Sequence, residues 1–113
     1  MPLSFAPGWT DEHPEAFEEL LAARLAYPTP AYAWRRQFDA CEEFLARGLD
    51  PSSVTHPTLV VHGTADRIVP YGNAELLADE IPGAELLRLE GAGHLALLER
   101  QAVISEALLR FFA

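Results

Sequence analysis

Hydrophobic positions change their rhythm partway along the chain. Phe17, Leu20, Leu21 and Leu25 recur at helical spacing after Thr10-Asp11-Glu12-His13-Pro14, a start with a capping side chain, early acids and a proline in the first turn. Pro28 and Pro30 end that helix, and Pro30 opens another whose apolar stripe is Trp34, Phe38, Cys41 and Leu45, in steps of 4, 3 and 4. Gly48 is its expected stop. The residues before Trp9, with two prolines and a glycine, read as irregular chain.

Past the polar loop Asp50-Pro51-Ser52-Ser53 the pattern differs. Thr58-Leu59-Val60-Val61-His62 is a continuous β-rich run, which predicts a strand buried on both faces in the manner of parallel sheets. A helix is expected over 72–81 with Leu76, Leu77 and Ile81 inward, ended by Pro82-Gly83. Glu85 to Glu90 reads as a second strand, Gly91-Ala92-Gly93-His94 as a tight turn, and 97–112 as a last helix. The fold class is therefore α/β. A helical segment over 1–50 precedes a strand–helix–strand–helix part over 51–113 with parallel strands, the whole expected as one compact unit. Two strands make a poor sheet, so its remaining strands are expected elsewhere and at least one edge open.

Composition narrows the function classes. At 113 residues, 50% hydrophobic and 22% charged, the chain suits one packed domain. Its net charge of −9 disfavours nucleic acid and anionic membrane surfaces, where phosphate contacts would be repulsive. A lone cysteine excludes an internal disulfide, the four histidines have no zinc-ligand spacing, and no cofactor motif is present. There is no apolar stretch of membrane-span length and no signal peptide, so the expectation is a soluble cytoplasmic protein.

Candidate chemistry lies where open α/β sheets place it, just past the carboxyl ends of strands. Asp66 follows the first strand by four residues, in His62-Gly63-Thr64-Ala65-Asp66-Arg67-Ile68-Val69-Pro70. His94 follows the second by four, in Glu90-Gly91-Ala92-Gly93-His94. Parallel neighbouring strands would deliver both to one rim, where a carboxylate can fix an imidazole's tautomer and stabilise its charged form. The plainer reading of Asp66 is a turn aspartate bonding nearby amides, and of His94 a turn histidine without a task. His62 reads as a buried, hydrogen-bonded core residue, and the aromatics of 9–38 as packing groups first.

Residues 57–113 resemble the C-terminal end of an α/β-hydrolase, on the strength of the Pro57-to-Pro70 and Gly91-to-His94 segments together. In that family the triad runs Ser, Asp or Glu, then His along the chain, which would make Asp66 the acid and His94 the base. Residues 10–50 resemble the helical cap that often precedes this end. Gln101-Ala102 stands where the family often has a proline after Glu99-Arg100.

The family's Gly-x-Ser-x-Gly nucleophile elbow does not occur in these 113 residues; the serines are Ser4, Ser52, Ser53 and Ser105. Cys41, mid-helix on an apolar stripe, is expected to be an inert core thiol rather than a substitute nucleophile. The resemblance implies the cap and C-terminal portion of a serine-type hydrolase of a small ester, lactone or related substrate, inactive alone and completed by an N-terminal half. The alternative is a non-catalytic binding or self-associating module, a homodimer or a chain whose open sheet edge a partner covers.

Overall fold

The computed structural model describes residues 1–48 and 50–113. They divide into two compact units, one of Met1–Glu12 with Pro51–Ala113, the other of His13–Asp50. The expectation was a single unit with its internal boundary at residue 50. Instead the first twelve residues pack with the C-terminal part, because residues 2–6 are hydrogen-bonded to Arg67, Leu95 and Glu99.

In that unit a short helix α1 (Trp9–Glu12) ends the N-terminal segment, which carries a 3-10 turn at Pro2–Ser4. Phe5 is fully buried and stacks on Trp9, ring centroids 4.3 Å apart. Burying such a ring is worth about 2–3 kcal/mol, enough to hold a segment the sequence leaves without regular structure.

Strand β1 (Leu59–Gly63) pairs in parallel with β2 (Glu85–Leu89), from Leu59 opposite Glu85 to Gly63 opposite Leu89. Helix α4 (Gly72–Glu80) joins them, packs on both and buries Ala74; α2 (Pro14–Ala26) and α3 (Ala31–Arg47) belong to the other unit. Of the residues expected to face inward here, Ile81 is buried, Leu77 half-buried and Leu76 exposed.

The expected last helix is two: α5 (Ala96–Glu99) and α6 (Gln101–Phe111), interrupted at Arg100. Leu89, Ala92, Ala96 and Ile104 form the core cluster, with Val61, Leu87 and Leu108 packed against it. β1 is only half-buried up to His62, and β2 shows Leu86 to solvent. The full burial expected of β1 is thus not reached: α4 and the core cluster pack on the pair, but no third strand flanks it among the described residues.

The second unit holds α2 (Pro14–Ala26) and α3 (Ala31–Arg47). Proline occupies the first turn of α2, where a missing N–H costs nothing. Gly48 closes α3 with φ +78°, a left-handed conformation that glycine adopts without a Cβ clash. A Glu43–Arg47 ion pair lies one turn apart on α3. Neither helix buries a side chain fully. The expected stripe on α3 exists but faces solvent: Trp34 is 60% and Phe38 52% exposed, and Leu45 and Cys41 are exposed too. Cys41 is exposed and therefore not the core thiol expected. No described helix is long and apolar enough to cross a membrane.

Candidate functional site

Asp66 and His94 come together at the carboxyl ends of the two strands. His94 Nδ1 lies 2.9 Å from Asp66 Oδ2, across 28 residues of sequence. A turn places each residue. After β1 the backbone stays beside the β2 turn: Thr64 N–H donates to Leu89 O at 3.0 Å and Ala65 N–H to Ala92 O at 2.9 Å. Gly63 permits this approach, since a Cβ there would run into the carbonyl groups of Ala92 and Gly93. Gly91, with φ +69°, turns the chain out of β2 towards His94.

The two oxygens of Asp66 divide its work. Oδ1 accepts from the N–H groups of Ile68 at 2.7 Å and Val69 at 2.9 Å, the aspartate turn that the plainer reading foresaw. Oδ2 is left for His94. The carboxyl is almost closed to water, its side chain 3% exposed, whereas the His94 ring is 41% exposed. Burial works to raise the Asp66 pKa. Hydrogen bonds from Val69 N–H, His94 and Ile68 N–H, with the charge of His94, outweigh it and hold the group below the ordinary aspartate value. An ionised carboxylate only accepts, so Nδ1 of His94 carries the proton and Nε2 presents a lone pair in the neutral ring. No hydrogen bond occupies that Nε2 among the described residues.

His62 reaches the same carboxylate, an arrangement the strand pattern did not foretell. Its Nδ1 donates to Gly63 O at 3.0 Å, its ring is 15% exposed, and Nε2 stands 3.7 Å from Asp66 Oδ2. Tyr71 packs edge-on against it at 5.8 Å. A cavity of about 300 Å3 beside the pair is lined by Val61, His62, Val69 and Ala96 together with Asp66 and His94.

Glu99 was missed altogether as part of this neighbourhood. It accepts from Gly93 N–H and from Ala6 N–H, the latter 93 residues away, a partnership no local spacing announces. Of the serines, Ser4 gives its carbonyl to Leu95 N–H at 2.8 Å, while Ser105 lies within α6. Cys41 belongs to α3 in the other unit. Among the described residues no group of three or more His, Cys, Asp or Glu side chains could hold a metal ion. Chemically the site offers an oriented, partly exposed imidazole backed by a buried carboxylate, an arrangement that can serve general-base chemistry.

A family model described as TAP-like protein (Abhydrolase_4) matches residues 31–113. Polyketide synthase ThaQ of Burkholderia thailandensis is 42% identical over 73 residues, covering 65% of this chain and 4% of that protein. The pimeloyl-(acyl-carrier protein) methyl ester esterase of Xanthomonas campestris is 34% identical over 62 residues, 55% of this chain and 24% of the esterase. The solved structure of Est816, described as an N-acyl homoserine lactone degrading enzyme, superposes with a TM-score of 0.71 at 33% identity, covering 99% of this chain and 44% of Est816. The chain thus spans a quarter or less of these two curated relatives and under half of the solved structure. Its helices and parallel strand pair are an incomplete α/β-hydrolase fold. With a family match over most of its length, the chain belongs to the α/β-hydrolase family.

Proposed function

We propose that the chain is the cap and C-terminal catalytic portion of a serine-type hydrolase of a small ester, lactone or related substrate. Asp66 orients His94 and stabilises its imidazolium. Nε2 of His94 takes the proton of a serine hydroxyl contributed from outside these 113 residues, as the hydroxyl oxygen attacks the substrate carbonyl. The same nitrogen then returns the proton to the leaving group, and water releases the acyl-enzyme. The 2.9 Å contact between His94 Nδ1 and a carboxylate 3% exposed carries this reading, because it sets the tautomer a base requires.

Joining the chain, by co-expression or fusion, to an N-terminal hydrolase half with a Gly-x-Ser-x-Gly elbow tests it. The combination should hydrolyse an activated ester and react with a fluorophosphonate, and His94→Ala should abolish turnover. The chain alone should do neither. Stoichiometric labelling of the isolated chain, or a complemented enzyme indifferent to His94→Ala, counts against the assignment.

One observation favours a second reading, a non-catalytic module that associates with itself or a partner. The α3 stripe is exposed, and the strand pair has no further strand beside it among the described residues, as in a surface that another chain covers. Sedimentation separates the two. A well-defined dimer with a cooperative melt supports the module, and soluble aggregates support the incomplete enzyme.

A further inference from the structure

The segment ahead of Trp9 is tied to both sides of the Asp66–His94 pair. Arg67, next to Asp66, donates through Nη2 to the carbonyls of Pro2 at 3.2 Å and Phe5 at 3.0 Å. Leu95, next to His94, donates its N–H to Ser4 O at 2.8 Å. Glu99 Oε1 accepts from Ala6 N–H at 3.0 Å, and each of its oxygens lies 3.1 Å from the N–H nitrogen of Gly93. Gly93 leaves no room for a side chain, because a Cβ there would strike the backbone of Phe5 and Ala6.

We propose that residues 2–6 and the Glu99 carboxylate form a strap that aims the His94 ring at Asp66, so that Glu99 is a positioning residue of the site. The inference rests on the reading of this pair as acid and base. The amides on either side of His94 both bond away from it, Gly93 N–H to Glu99 and Leu95 N–H to Ser4, which fixes the backbone from which the ring projects. Packing does little of this work, since the ring is substantially exposed and its one hydrogen bond among the described residues is to Asp66. Bonds in which one partner is charged are roughly twice as strong as neutral ones, so the Glu99 and Arg67 ties are firmer than the amide bond from Leu95 to Ser4. Catalytic geometry is sensitive to displacements of about 1 Å, which a tie on the residue next to the base controls directly.

The test uses the isolated chain and needs no turnover. Nuclear magnetic resonance of the labelled protein follows the downfield Nδ1–H proton of His94 and its exchange with water. The wild type should show this proton and Asp66→Asn should alter it. Glu99→Ala should lose it or speed its exchange about tenfold or more, as expected for removing charge-assisted hydrogen bonds. Glu99→Gln keeps one acceptor oxygen and should fall between. Leu108→Ala, which thins the core cluster and leaves the strap's bonds alone, should lower the melting temperature and keep the signal.

A signal with wild-type exchange in Glu99→Ala overturns the proposal, and so does an equal loss in Leu108→Ala. If Glu99→Ala does not fold, unchanged exchange in Glu99→Gln and Arg67→Gln overturns it instead. Failure of the complemented enzyme to turn over would strike the functional reading while leaving these signals as they are, so the two failures are told apart.

Discussion

The Gly91 N–H donates to the Thr64 hydroxyl at 2.9 Å, a bond that joins the turn after β2 to the turn after β1 across 27 residues. The same hydroxyl donates onward to Glu90 Oε1 at 3.2 Å. Thr64→Val keeps the shape of the side chain and removes both bonds. Because the site is exposed, the expected cost is about 1 kcal/mol, or roughly 4–8 °C in melting temperature for a domain of this size. A thermal melt that matches wild type would show that the hydroxyl does not join the turns in solution.

Two glycines with different surroundings should respond oppositely to the same change. Gly63→Ala drives a Cβ into the Ala92 and Gly93 carbonyls, which the paired backbone cannot move aside, so a loss of about 3 kcal/mol or more is expected. Gly72, in the first turn of α4, has open space around a Cβ and no positive φ. Gly72→Ala should be neutral or gain up to about 1 kcal/mol. Urea midpoints of the two variants provide the comparison.

Acidification should act through Asp66. Its folded pKa lies below the unfolded value of 3.8, so its contribution to stability is present in full above 3.8 and is lost as pH falls through the lower folded value. Asp66→Asn keeps an oxygen for the Ile68 and Val69 amides and removes the titration. The stability advantage of wild type over Asp66→Asn should therefore shrink as pH falls from about 4 towards 2. A difference independent of pH across that range would contradict the assignment.

The α3 stripe gives a prediction of no effect. Trp34 is 60% exposed and stacks on Phe38, ring centroids 5.7 Å apart, so Trp34→Glu should change the stability of the isolated chain by about 0.5 kcal/mol or less. The same substitution should weaken complementation by an N-terminal half if that half covers the stripe. A large loss of stability in the isolated chain would mean that the face is already covered.

The elements that local chemistry determines could be read from the chain itself: the β1 run after Pro57, the glycine at the end of α3, and the two turns that carry Asp66 and His94. Distance along the chain hid the rest. Nothing near Ala6 signals a bond to Glu99, and nothing near Pro2 signals Arg67, so the N-terminal segment read as irregular. The break at Arg100 interrupts an apolar periodicity that continues through it, which is why one helix was expected where there are two. The exposure of Trp34, Phe38 and Cys41 had no local signature either. An apolar stripe states which face wants covering, while burial depends on what stands opposite.

The bonds stitching residues 64–65 to 89–92 join the Asp66 turn and the His94 turn directly to one another. Spacing between carboxylate and imidazole is thereby decoupled from the extent of the surrounding sheet. On the proposed reading, a splice, a gene fission or a designed half-enzyme cutting the polypeptide upstream of these residues would inherit the pair ready-made and would still need a hydroxyl and oxyanion donors.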